Sequence, residues 1–216
     1  MSESSFIITK DSPEIQWLCK RDKRLAKVIY IIGDIEYSLY EDGFSFLIHE
    51  IIEQMLSKTA GAKIYSRLES LCDGNITPHI ISELSEEAIR STGTSSAKTA
   101  YMKNVSAAVL SGSLNLDQLQ YATDEEVRKA LTVLRGIGNW TAKMYLIFVL
   151  GRANILPYED GAFLQSYRWL YKTDDCSPSS IQKKCSKWSP YSSVASRYLY
   201  RALDTGLTKK EFHLYK

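Results

Sequence analysis

Apolar side chains recur at helical spacing over most of this chain. Starting from Phe44, the residues Leu47, Ile48, Ile51, Ile52, Met55 and Leu56 fall at i+3, i+4, i+7, i+8, i+11 and i+12, a stripe along one side of a helix. Thr123-Asp124-Glu125-Glu126 has the form of a capping box, and it opens a helix carried by Val127, Ala130, Leu131 and Leu134. The run from Asn139 to about Gly151 is apolar nearly all round, which predicts a helix buried at the centre of its bundle. Ser177-Pro178 starts another helix with a cap and a proline in its first turn, and Thr208-Lys209-Lys210-Glu211 marks a last short one. Val28-Ile29-Tyr30-Ile31-Ile32 favours strand by propensity, yet Leu25, Val28, Ile29 and Ile32 also keep helical spacing, and the segment is assigned to a helix. Ser91 to Ser96 reads as a loop between helices. No strand and no internal repeat stands out, so the expected fold is all-α.

The most informative segment is Leu134-Arg135-Gly136-Ile137-Gly138-Asn139-Trp140-Thr141-Ala142. Two glycines one residue apart let the backbone bend tightly between helices. They also leave amide groups bare at the start of the second helix, where the macrodipole favours an anion such as a DNA phosphate. The plainer alternative is that Gly136 and Gly138 close an ordinary turn. Further on, Pro157-Tyr158-Glu159-Asp160 puts a carboxylate twenty residues after Trp140, where it can also act as N-cap of a helix beginning near Gly161. Cap and chemistry are compatible, since a helix N-terminus favours the ionised form.

Taken together, the hairpin, Trp140-Thr141-Ala142 and the spaced Asp160 resemble the helix-hairpin-helix DNA glycosylases. Further segments carry the likeness from about Asp22 to Leu203: Ile51-Ile52-Glu53-Gln54-Met55-Leu56-Ser57, Gly93-Thr94-Ser95 with Lys98 and Tyr101, and Trp188-Ser189-Pro190-Tyr191-Ser192-Ser193. They point to the monofunctional alkylpurine branch, the 3-methyladenine DNA glycosylase II type. Ser192 replaces a usual arginine, Met55 a second glutamine, and Tyr200 stands where tryptophan is common; these departures bear on substrate preference. The resemblance implies a two-lobed helical bundle with the active site in the cleft between lobes. One lobe is expected over residues 43–153 and the other from 1–42 with 154–216. The N-terminal β-rich domain of some members is expected to be missing.

On that resemblance Asp160 is the catalytic carboxylate, stabilising an oxocarbenium-like sugar and its attacking water. Trp140 and, more weakly, Tyr200 are the pocket aromatics that stack a flipped cationic base; Trp188 and Tyr145 are equally well read as core. Lyase relatives carry a nucleophilic lysine at the position of Trp140, so no strand cleavage is expected. Gly136, Gly138 and Thr141 are the expected backbone grip. Gln54 and Met55 are the candidates for a side chain that fills the gap left by the flipped base, although Met55 equally continues the apolar stripe. Hairpin carbonyls of Thr132, Leu134 and Ile137 can hold a monovalent cation in this family. The alternatives left open are a non-catalytic DNA-binding module and a glycosylase for another damaged base.

Composition adds limits. Lys+Arg of 27 against Asp+Glu of 25 gives a net charge of only +2, so any basic surface must be local. The candidates are Lys20-Arg21 with Lys23-Arg24, and Lys183-Lys184 with Lys187, each of which is equally well a solvated helix face. Cys19, Cys72, Cys176 and Cys185 lack close spacing, which argues against a zinc site, a disulfide framework or the iron–sulfur cluster of some relatives. Met1 is followed by polar residues rather than a basic and apolar leader, and no apolar run could span a bilayer. A cytoplasmic monomer is expected, acting on duplex DNA with damaged bases, away from membranes and without a required cofactor.

Overall fold

The computed structural model describes residues 5–214, so the polar start at Met1 to Ser4 lies outside the described residues. The chain opens with β1 (Ser5–Ile8), α1 (Pro13–Arg21), α2 (Lys23–Ile32) and β2 (Ile35–Ser38). It continues through α3 (Gly43–Glu53), α4 (Lys58–Leu71), α5 (Pro78–Glu83), α6 (Glu86–Ser91), α7 (Ser96–Leu110), α8 (Leu116–Leu119), α9 (Asp124–Thr132) and α10 (Asn139–Phe148). It ends with α11 (Gly161–Tyr171), α12 (Pro178–Cys185) and α13 (Ser192–Asp204), with 3-10 turns at Ser186–Trp188 and Leu207–Lys209. Two compact units result, Tyr40–Leu150 and a second made from Met1–Leu39 with Gly151–Lys216. Among the described residues no helix is long and apolar enough to cross a membrane.

In the unit spanning Tyr40–Leu150, the stripe predicted from Phe44 is the buried face of α3, with Leu47, Ile48, Ile51 and Ile52 all fully buried. The helix nevertheless stops at Glu53, short of Met55 and Leu56, because the backbone leaves helical values at Gln54 (φ −49°, ψ 127°) and turns left-handed at Met55 (φ 57°). The capping box at Thr123 forms in both directions and starts α9. Helix α10 is central as expected, with Ala142, Met144, Tyr145, Leu146 and Ile147 buried. The two ends of the unit meet where the Tyr40 amide donates to the Phe148 carbonyl at 2.9 Å.

The other unit adds one small two-stranded sheet to a chain that is otherwise helical, as expected. β1 and β2 pair antiparallel, with Ser5 opposite Ser38 and Ile8 opposite Ile35. Each strand has four residues and turns essentially one side chain, Ile8 or Ile35, into the core, too short a pattern to register as a period of two. Val28 to Ile32 is helical, as its spacing predicts. Around this core pack Ile15 and Leu18 of α1, Phe163, Tyr167 and Leu170 of α11, and Tyr198 and Leu199 of α13. The last short helix expected at Thr208 is only the 3-10 turn Leu207–Lys209, and Ser177 leads α12 by position while its hydroxyl bonds Asp175 rather than the helix.

Asp22 ties the two ends of the chain together. Its side chain is 2% exposed, and Oδ1 caps α2 through the amides of Arg24 at 3.0 Å and Leu25 at 3.3 Å. Oδ2 accepts the Trp188 indole N–H at 2.9 Å and the Tyr171 hydroxyl, and the Lys187 ammonium lies at 3.1 Å. Burial alone would raise this carboxyl's pKa, but the donors around it outweigh burial and hold it below its ordinary value. Both basic runs noted in the sequence are therefore partly structural. Lys184 and Lys187 lie 5.0 and 5.3 Å from the Tyr171 ring centre, and Arg24 donates to the Leu170 carbonyl at 2.9 Å.

Candidate DNA-binding hairpin and catalytic carboxylate

Helix α9 ends at Thr132, and the chain reverses through Val133 to Gly138 before α10 begins. The two glycines of this turn do different jobs. Gly136 has φ +99°, and a Cβ there would sit 2.3 Å from Cγ of Tyr101, so both conformation and space demand glycine. Gly138 has φ −98° and nothing within 4 Å of the position a Cβ would take. Its lack of a side chain leaves the N-terminus of α10 uncovered, and that N-terminus has no side-chain cap. Ile137 is buried, and its amide donates to the Leu134 carbonyl at 3.1 Å. Thr141 is 2% exposed, so its side chain packs inward and only its backbone amide, in the first turn of α10, is left for the expected grip. Trp140 is half-buried in the first turn of α10.

Gln54 and Met55 part company. The Gln54 side chain does not stand out as a plug: its Nε2 donates to the Gly136 carbonyl at 2.9 Å and braces the hairpin. Met55 is fully exposed, so the core alternative left open by the apolar stripe falls away. The Lys98 ammonium holds the end of α3 beneath it, donating to the carbonyls of Ile52 at 2.7 Å and Gln54 at 2.6 Å.

Asp160 and Tyr200 belong to the other unit. Asp160 is the N-cap of α11 and is half-buried, its Oδ1 accepting the Phe163 amide at 2.7 Å. Glu159 beside it is exposed. The loop ahead of Asp160 is clasped by the start of α13. Ser193 donates its amide to the Ala153 carbonyl and accepts the Ile155 amide on its hydroxyl, both at 2.9 Å. The Ser192 hydroxyl donates to Oδ1 of Asn154 at 2.9 Å, and Asn154 Nδ2 donates to the Ser189 hydroxyl at 3.1 Å. Tyr200 is half-buried on α13. Trp188 and Tyr145, 0% and 1% exposed, are core aromatics. The clasp of Ser192, Ser193 and Asn154 was not singled out from sequence as holding Asp160. Its one visible signal was the Trp-Ser-Pro-Tyr-Ser-Ser run.

Similarity to known proteins extends across both the hairpin and Asp160. Residues 48–190 match the model of the HhH-GPD superfamily base excision DNA repair protein. The chain is 30% identical over 174 residues to the Bacillus subtilis protein YfjP, covering 79% of this chain but only 61% of that relative's length. DNA-3-methyladenine glycosylase 1 of Schizosaccharomyces pombe is 27% identical over 90% of this chain and 87% of its own. The crystal structure of a DNA-3-methyladenine glycosidase from Bacillus halodurans superposes with a TM-score of 0.85 at 33% identity, over 95% of this chain and 96% of that one. The glycine hairpin and the capping aspartate thus lie within a match that spans most of the chain, which belongs to the HhH-GPD superfamily of base excision DNA repair proteins.

Proposed function

We propose that this protein is a DNA base-excision repair glycosylase that hydrolyses the N-glycosidic bond of alkylated purines of the 3-methyladenine type in duplex DNA, without lyase activity. The observation that carries the reading is Asp160, a half-buried carboxylate fixed at a helix N-terminus by the Phe163 amide and by a loop clasped at Ala153 to Ile155. Similarity to the 3-methyladenine glycosylases of Bacillus halodurans and Schizosaccharomyces pombe supports the substrate class.

The chemistry follows from the substrate's charge. An alkylated purine is cationic, so when its bond to C1′ breaks the electron pair leaves with a base that becomes neutral, and no strong general acid is needed. The positive charge passes to the sugar, where a fixed carboxylate stabilises it electrostatically. Water then bonds to C1′ and gives up its proton, with Asp160 as the acceptor at hand. Trp140 is the stacking wall for the extruded base and attracts its charge through the indole face. Indole nitrogen is not a nucleophile, so the product is an intact abasic strand.

The uncovered N-terminus of α10 takes a backbone phosphate without reading sequence. The Thr132, Leu134 and Ile137 carbonyls are oxygen donors of the kind a monovalent cation accepts, and Leu134 already receives the Ile137 amide on one lone pair. Such an ion would add positive charge beside that phosphate; hydrolysis of a base that is already a cation calls for no other cofactor. The protein engages the duplex as a monomer.

Base release from a panel of duplexes, each with one damaged base, tests this reading. Wild type should release alkylpurines, and Asp160→Asn should lose at least about a hundredfold in rate, the scale of a lost electrostatic stabiliser, while still binding DNA. Excision by the variant at near wild-type rate would remove Asp160 from the mechanism. Binding without release from any duplex would leave a non-catalytic module, and release confined to deaminated or oxidised bases would change the lesion.

A further inference from the structure

One helix, α7, holds two separate parts at once, the Met55 turn and the glycine hairpin. Lys98 and Tyr101 are three residues apart, on one face of that helix. Tyr101 is the surface on which Gly136 closes, and Lys98 reaches the end of α3. Between them Gln54 joins the two parts, its backbone carbonyl bound to Lys98 and its side chain bound to the Gly136 carbonyl.

The residue displayed by this arrangement is Met55. A methionine is an uncommon occupant of φ 57°, and one that is also fully exposed gains nothing from core packing. The last carbonyls of a helix have no intrahelical donors, and here an ammonium satisfies two of them from below, at Ile52 and Gln54. Lys98 is half-buried for this purpose, and burial lowers its pKa from the ordinary lysine value. Charge-assisted bonds to backbone carbonyls are the stronger kind, so they oppose unwinding of the turn that carries Met55.

Resting on the reading of the protein as a glycosylase, we infer that Lys98 is a positioning residue for base extrusion. Through the carbonyls of Ile52 and Gln54 it fixes the Met55 turn to the hairpin, so that wedge and phosphate grip meet the duplex as one rigid piece. Lys98 touches neither base nor sugar. Its loss therefore weakens the opening of a well-paired lesion and spares the bond-breaking step.

The test compares Lys98→Met, which keeps the stem and removes the ammonium, with Lys98→Arg, Met55→Ala and the double variant Lys98→Met with Met55→Ala. Single-turnover excision is measured on one alkylpurine placed in a matched pair and in a mispair that is already loosened. Lys98→Met should lose about tenfold or more on the matched duplex and threefold or less on the mispaired one, Lys98→Arg should recover most of the loss, and the double variant should be no worse than Met55→Ala. Equal losses on both duplexes, or losses that multiply in the double variant, would reduce Lys98 to an ordinary fold contact and overturn the inference. Hydrogen exchange in the free protein gives an answer independent of activity. Lys98→Met should speed the Met55 and Leu56 amides by about tenfold or more with little change in α10, and unchanged exchange there would also overturn it. Failure of the wild type to excise any base would instead count against the proposed function.

Discussion

Gly136→Ala should destabilise the protein far more than any change at Gly138, although the two glycines look equivalent in the sequence. At φ +99° a side chain costs about 1–3 kcal/mol in backbone strain. The new Cβ would also lie 2.3 Å from Cγ, 2.5 Å from Cδ2 and 2.6 Å from Cβ of Tyr101. Two of those atoms are at the root of the side chain, so ring rotation cannot clear them, and overpacking adds about 1–3 kcal/mol. The sum is about 2–6 kcal/mol, or a fall in Tm of roughly 5–20 °C for a chain of this size. Calorimetry and urea unfolding measure it. Adding Tyr101→Ala should return about 1 kcal/mol or more, the signature of a shared steric cause. Gly138 has an ordinary φ and open space, so Gly138→Leu should leave Tm within a few degrees. It should weaken binding to damaged and undamaged duplexes alike, by about tenfold, because it covers the bare amides of α10. A Gly136→Ala protein that melts within 2 °C of wild type, or a Gly138→Leu protein with unchanged DNA affinity, would refute the assignment of roles.

Two other outcomes follow from the geometry. Asp22→Asn should cost about 3 kcal/mol near neutral pH, since it strips charge from a buried acceptor that serves five donors. The folded carboxyl titrates below its ordinary value, so the stability it supplies is present above the unfolded pKa of about 4 and disappears as pH falls through the folded one. Urea unfolding should therefore show the gap between wild type and Asp22→Asn closing below about pH 4, and a gap independent of pH would exclude a charged Asp22. For the lyase question, borohydride should trap no covalent complex between wild type and damaged duplex. Trp140→Lys should lose much of its alkylbase excision by replacing a stacking wall with a charge that repels the cation; trapping by wild type with excision retained in the variant would misplace both pocket and nucleophile.

The helices were legible because their signals are local and repeated. The α3 stripe and the all-round apolar α10 extend over several turns, so the period outweighs any one residue, and the Thr123 capping box is a fixed four-residue signature. The sheet was not, since strands of four residues with one buried side chain each offer no alternation to read. The end of α3 was misjudged for a related reason. Met55 and Leu56 keep the helical spacing of Ile51 and Ile52 after the helix has stopped, and hydrophobicity cannot distinguish a methionine in the core from one held out on a turn.

At the candidate site the boundary runs between side chains that act for themselves and those that act on backbone. Asp160 and Trp140 announce chemistry by residue type and spacing. Lys98, Gln54 and Ser193 bind carbonyl and amide groups, which every residue carries, so nothing in the partner's identity reveals the pairing. The glycines show the consequence most sharply. Gly136 is demanded by a tyrosine 35 residues earlier, whereas no contact among the described residues demands Gly138. On the proposed function, that open space is where a backbone phosphate approaches the N-terminus of α10, which lacks a side-chain cap, and the Gly138→Leu binding measurement decides it.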